Sequence, residues 1–231
     1  PNDPYTHEVL NTGRHHQIYG KGFLQDHPSA KLIIPIAERL VRDVKAIDTT
    51  RPVTAALAGV VMSNEVGYPE VLDVVGYNYQ EFRYAEDHAK YPNRIIYGSE
   101  NGMSPAAWNA VDSNSYISGQ FLWTGIDYLG EAGKWPERSN GAGLLDLAGF
   151  KKPGYYFRQS LWSDKPMAYL VTQVIPDSAV EVQVAGRRRR QRPEPVWNYP
   201  AGSKVKVACY TNCQQTELFL NGRSMGKVPH H

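Results

Sequence analysis

Arg94-Ile95-Ile96-Tyr97-Gly98-Ser99-Glu100-Asn101-Gly102 is the stretch whose reading decides the fold. Ile95, Ile96, Tyr97 and the small Gly98 suit a buried strand, and they run directly into Ser99, a carboxylate and the turn pair Asn101-Gly102. A strand that delivers a Glu to a polar loop is how parallel α/β barrels present reactive groups, at the mouth formed by strand C-termini. An isolated Glu-Asn-Gly would be read as a surface turn. The downstream segment changes that reading: Ile117-Ser-Gly-Gln-Phe-Leu-Trp-Thr-Gly-Ile-Asp-Tyr-Leu-Gly-Glu131 is also apolar and aromatic, and also closes on polar groups. Two consecutive strands with chemistry at the same end form a candidate site.

Working outward, the upstream chain alternates strand and helix. Ile36, Leu40, Val41, Val44 and Ile47 recur at helical spacing within residues 31–47, with Glu38, Arg39, Arg42, Asp43 and Lys45 between them. Asp48-Thr49-Thr50-Arg51-Pro52 stops that helix, because Pro disfavours helix at the residue before it. Strands are expected at Val53–Leu57 and Val71–Tyr79, the second ending on Asn78 and Tyr79. Residues 81–92 are charged and read as helix or loop. Ala106–Tyr116 supports a helix before the strand Ile117–Asp127. Such alternation argues for βα units and a parallel sheet. Four units are visible, where a closed barrel needs eight. After a final helix at Tyr155–Trp162, Ser163-Asp164-Lys165-Pro166 marks a boundary, and periodicity switches to short β runs at Ala168–Val174, Lys204–Tyr210 and Thr216–Leu220. The last meets Asn221-Gly222, a hairpin signal.

Composition narrows the class of partner. The 231 residues are 42% hydrophobic with 15 Tyr and 5 Trp, enough for a packed core. Twenty-five basic and 23 acidic residues leave a net charge of +2, which gives no reason to expect nucleic acid or an anionic membrane as partner. No apolar run approaches the roughly 20 residues that span a bilayer. The opening Pro1-Asn2-Asp3-Pro4 carries no signal-peptide pattern. Cys209 and Cys213 are expected as two free, partly buried thiols, which leaves the compartment undecided. His7, His15 and His16 lack the carboxylate–His periodicity of a metal site, so no metal and no cofactor are expected. The Arg187–Arg190 run with Arg192 reads as a solvated loop.

Several of these segments together resemble glycoside hydrolase family 2, the β-galactosidase group, over roughly residues 36–226. The resemblance rests on Thr50-Arg-Pro-Val-Thr-Ala-Ala-Leu57, Gly76-Tyr-Asn-Tyr79, Gly98-Ser-Glu100 and Gly119–Glu131, then on Asp146-Leu-Ala-Gly-Phe150, Trp162-Ser-Asp-Lys-Pro166 and Glu217-Leu-Phe-Leu-Asn-Gly222. Each is weak alone; their order and spacing are specific. The fold implied is α/β: the second half of a (β/α)8 TIM barrel over residues 1–165, then a truncated all-β immunoglobulin-like sandwich over 166–231.

The resemblance also implies a retaining glycosidase, with Glu100 as nucleophile and Tyr79 as a hydroxyl donor beside it. Trp123 looks like the family's aromatic wall for the sugar, whose apolar face suits an indole. Asn78, Asn101 and Asp127 complete the expected substrate-binding set. The general acid/base should follow an Asn, and two candidates exist. Asn64-Glu65 has the dipeptide but falls one strand before Glu100. Glu8 has the right separation, although His7 stands where Asn is expected; Glu8 is favoured. The family's uronic-acid members carry Asn-x-Lys, whereas Ser139-Asn140-Gly141-Ala142 has no Lys, which favours a β-galactoside, or another neutral or sulfated β-glycoside. A half barrel leaves an open edge. A missing N-terminal portion of the same enzyme, or a second copy in a homo-oligomer, is expected to complete it. The rival expectation is an inactive half barrel serving as a carbohydrate-binding or structural module.

Overall fold

The computed structural model describes residues 29–175, 183–184, 187–188 and 193–229, the two short pairs for backbone alone. Glu8, His7, His15, His16 and the side chains of the arginine run therefore lie outside the described residues. The chain falls into two compact units divided between Trp123 and Thr124.

In the first unit a 3-10 turn, Ala30–Leu32, leads into helix α1 (Ile33–Ile47). The expected stop comes next, built around one carboxylate. Asp48 accepts from Thr50 through its backbone N–H at 2.8 Å and its hydroxyl at 2.6 Å, and pairs with Arg51 at 2.5 Å. Strands β1 (Thr54–Leu57), β2 (Val74–Asn78), β3 (Ile96–Asn101) and β4 (Ile117–Leu122) form one sheet in that order, every pair parallel. Between them run α2 (Val60–Val66), α3 (Tyr84–Lys90) and α4 (Pro105–Asp112). Helix α4 starts where Pro105 occupies the first turn and Ser104 Oγ accepts from Ala107 N–H at 3.1 Å, both favoured at helix entry.

The sheet's two faces differ. Leu57, Val75, Tyr77, Ile96 and Ile117 point to one side and pack with Val60 of α2 and Tyr84 of α3; all seven are buried. Each such side chain contributes roughly 1.5–3 kcal/mol of burial. The opposite face carries Gly76, Tyr97 and Ser99, with Tyr97 edge-on to Phe121 at 5.7 Å, yet Phe121 is 66% exposed. Strand β4 is shorter than the expected Ile117–Asp127. The chain bends at Trp123, and the carbonyls of Thr124 and Gly125 accept instead from Leu144 and Leu145 N–H at 3.0 Å each.

The second unit opens with a small ladder, β5 (Tyr128–Leu129) against β6 (Ser139–Asn140). Helix α5 (Pro153–Trp162) packs on the antiparallel pair β7 (Ala168–Val174) and β10 (Val205–Thr211): Tyr156 stacks on Tyr169 at 3.6 Å and Phe157 meets Tyr210 edge-on at 5.5 Å. The helix expected to end the barrel segment thus packs on the strands that come after it. The short pair β8 (Gln183–Val184) and β9 (Arg187–Arg188) lies between them in sequence. Hairpin β11 (Gln215–Leu220) and β12 (Arg223–Pro229) turns at Asn221 and Gly222, with φ of 49° and 78°, the left-handed pair that a tight turn demands. Cys209 and Cys213 are free and half-buried.

Candidate active site

In a parallel sheet all strands end on the same side, so Asn78, Asn101 and Leu122 close β2, β3 and β4 at one rim, with Glu100 one residue before the end of β3. Register makes the placement of Glu100 specific. Tyr77 pairs with Gly98, but Asn78 pairs with Glu100, because β3 carries an extra residue at Ser99. The bulge puts the half-buried Glu100 opposite Asn78, whose preceding neighbour Tyr77 is buried in the helix-packed core. Side chains alternate along a strand, so Asn78 and Glu100 share the face away from the helices.

Tyr79 comes next with φ 54°, a left-handed backbone that costs a non-glycine residue roughly 1–2 kcal/mol. Its N–H donates to the Glu100 carbonyl at 2.8 Å, which holds the bend. Such local strain collects at functional positions. Trp123 N–H donates to the Asn101 carbonyl at 3.1 Å and carries the ladder one residue past β4; the indole is 38% exposed. The sheet thus brings Asn78, Tyr79, Glu100 and Trp123 to one rim.

Asn101 is placed differently. It is fully buried on the helix side, where Nδ2 donates to Glu81 Oε1 at 2.9 Å and to Tyr84 Oη at 3.4 Å. Burial pushes the Tyr84 phenol up to about 12, against the opposing donation from Asn101. Gly98 is required by the same carboxamide: a Cβ there would sit 1.8 Å from Asn101 Oδ1. Asp127 belongs to the second unit, where its Oδ1 accepts from Gly143 N–H at 2.8 Å and from Lys152 Nζ at 2.5 Å. Lys152 also reaches the Gly141 carbonyl at 3.1 Å, so this carboxylate ties a loop.

Asn64-Glu65 is not at a strand end at all. It sits in α2, where Asn64 Nδ2 donates to Asp87 at 3.0 Å and its Oδ1 accepts from Arg94 at 2.7 Å. Asp87, fully buried, also accepts from Tyr77 Oη at 2.8 Å and Arg83 at 2.5 Å, a polar cluster behind the sheet. A 340 Å³ cavity lined in part by Glu70, Leu72, Asp73, Arg94 and Ile95 opens where β2 and β3 begin, at the end opposite Glu100. Among the described residues no group of three His, Cys, Asp or Glu side chains could hold a metal ion.

The sequence pattern did not reveal the Ser99 bulge or the left-handed Tyr79. Gly98 beside Ser99 was the one available signal, since glycine in a strand often marks a bulge or close approach.

Comparison with known proteins agrees with this architecture. A β-galactosidase from Bacteroides ovatus is 30% identical over 267 residues, an alignment covering 94% of this chain and 28% of that protein. A putative β-glucuronidase from Formosa agariphila is 37% identical over 127 residues, covering 52% of this chain and 10% of the relative. A glycosyl hydrolase family 2 member from Bacteroides cellulosilyticus superposes with a TM-score of 0.71 at 35% identity, covering 87% of this chain and 28% of that one. A model described as a domain of unknown function, DUF4982, matches residues 202–231. The chain spans about a quarter of the length of the first of these relatives. Over most of its own length, by sequence and by fold, the chain is a homologue of glycoside hydrolase family 2 proteins.

Proposed function

We propose that this chain is the second half of a (β/α)8 barrel, residues 1–165, followed by an immunoglobulin-like sandwich, 166–231, in a retaining glycosidase that removes terminal β-galactosyl units. The observation that carries the reading is Glu100 at the rim of a parallel sheet, set by a bulge opposite Asn78 and tied through its carbonyl to a left-handed Tyr79.

Glu100 attacks the anomeric carbon while the acid, assigned to Glu8, protonates the departing oxygen. The glycosidic bond breaks as the ester to Glu100 forms. Glu8, now a carboxylate, takes a proton from water, which attacks the same carbon and frees both sugar and Glu100 with configuration retained. Two carboxylates in this mechanism stand about 5 Å apart. Tyr79 and Asn78 serve the nucleophile, and Trp123 offers its indole to the sugar's apolar face. Asn101, enclosed behind the sheet, bonds Glu81 and Tyr84, and Asp127 shapes the loop before Gly143 rather than meeting the sugar through its paired oxygen. No cofactor takes part in this scheme.

Galactose is favoured by the B. ovatus relative and by the absence of Lys from Ser139–Ala142. The glucuronidase relatives keep another β-glycoside as the second reading. Chromogenic β-galactoside, β-glucoside and β-glucuronide should be assayed with the complete polypeptide that carries this chain. Galactoside turnover should exceed the others, and Glu100→Gln should lower it roughly a thousand-fold or more. Full activity in Glu100→Gln would remove the assignment; a preference for glucuronide would remove the sugar. No turnover of any of the three by the parent polypeptide would favour the inactive binding-module reading.

A further inference from the structure

An ionised nucleophile needs hydrogen-bond donors, and the bulge in β3 puts a hydroxyl on its face that regular strand alternation would place on the other. In a regular strand, Ser99 and Glu100 would point to opposite faces. Here Ser99 lies on the face away from the helices, since its Cβ is 2.9 Å from where Gly76 would carry one. Glu100 lies on that face as well, through its pairing with Asn78. Asn101 resumes the helix side, packed against Tyr84 and Gly98. Ser99 and Glu100 are therefore neighbours on one face. Among the described residues, the buried Ser99 hydroxyl has no hydrogen-bond partner, and neither has the buried Asn78 carbonyl oxygen. A buried hydroxyl left unpaired is costly, so its proton should find an acceptor in the working enzyme. Three side-chain acceptors share its face: the Tyr97 hydroxyl oxygen, the Asn78 amide oxygen and the Glu100 carboxylate. A bond to an ionised acceptor is roughly twice as strong as a neutral one, which selects Glu100.

Resting on the assignment of Glu100 as nucleophile, we infer that Ser99 is a positioning residue: its hydroxyl turns to donate to the Glu100 carboxylate and holds it charged and aimed. Losing that donor disfavours the charged form of Glu100. Because attack requires the carboxylate, the acid limb of kcat/KM must then move to higher pH.

The test is the pH profile of kcat/KM in the complete polypeptide for Ser99→Ala, Ser99→Thr and the parent, with Glu100→Gln as control. Ser99→Ala should move the acid limb upward by about half a pH unit or more and lower the plateau several-fold. Ser99→Thr, which keeps the hydroxyl, should restore the limb. An unmoved limb in Ser99→Ala, with Glu100→Gln inactive, overturns the role of Ser99 and leaves the nucleophile standing. A plateau loss with no shift of the limb also overturns it, since packing alone would do that. An active Glu100→Gln enzyme overturns the assignment beneath the proposal, and the proposal with it.

Discussion

Gly98 shows how one residue sets the site. Its missing Cβ leaves room for the Asn101 carboxamide, which would otherwise lie 1.8 Å away at Oδ1 and 2.7 Å at Cγ. That carboxamide cannot simply swing aside, because Asn101 is fully buried and bonded to Glu81 and Tyr84. Gly98→Ala should therefore cost about 1–3 kcal/mol from overpacking, and lower the melting temperature by several degrees. Gly119, in the next strand, has open space where its Cβ would go. Gly119→Ala should change stability by no more than about 0.5 kcal/mol. Equal losses in the two variants, read by thermal melting, would contradict the close packing at Gly98. The identity of the residues at the rim was legible in sequence, because Glu, Asn and Trp at strand ends are visible as letters. Their facing was not. A one-residue bulge turns Glu100 to Asn78 and Asn101 to the core, and nothing in the alternation of Ile95–Asn101 announces it.

At the level of elements, helix periods and stop signals read well. The expected helix at 31–47 is Ile33–Ile47 with a 3-10 lead, and the Asn221-Gly222 hairpin falls where it should. The stop after α1 is a small electrostatic device. Hydrogen bonds from the Thr50 side chain, then from Arg51, hold the Asp48 carboxyl down at about 2, below its ordinary 3.8. A depressed carboxylate stabilises the folded turn fully above its unfolded pKa, and that support is lost as pH falls through the folded value. The turn should thus stay intact at pH 4 and loosen between about pH 4 and 2. An NMR titration of Asp48 should show a midpoint near 2 in the parent protein, moving upward in Thr50→Val. A midpoint at 3.8 in both would contradict the role of Thr50 as donor to Asp48. Strand ends were harder to read than helices. Ile117–Asp127 looks continuous because its residues are apolar, yet hydrogen bonding to Leu144 and Leu145 ends β4 at Leu122.

On the scale of the molecule, the surface is informative. Helix α1 exposes Ile36, Leu40, Val44 and Ile47 at 56%, 53%, 47% and 91%, and the sheet face bearing the rim leaves Phe121 open. Apolar surface of this kind fits the proposal that further polypeptide completes a barrel over that face. The order of strands and helices was legible because each element carries its own period. The division at Trp123 was not, since packing of α5 on β7 and β10 depends on ring contacts such as Tyr156 with Tyr169, which no local pattern encodes.

The central claim is that Glu100 forms a bond to sugar, and trapping that bond is its most direct test. The complete polypeptide should be incubated with 2-deoxy-2-fluoro-β-galactosyl and β-glucosyl probes bearing good leaving groups, then digested and mapped by mass spectrometry. The fluorine slows both steps by disfavouring the oxocarbenium-like transition state, so the glycosyl-enzyme accumulates. The expected result is one fluorosugar per chain on the peptide containing Glu100, absent in Glu100→Gln. A label on a different carboxylate, or none from either probe, would contradict it.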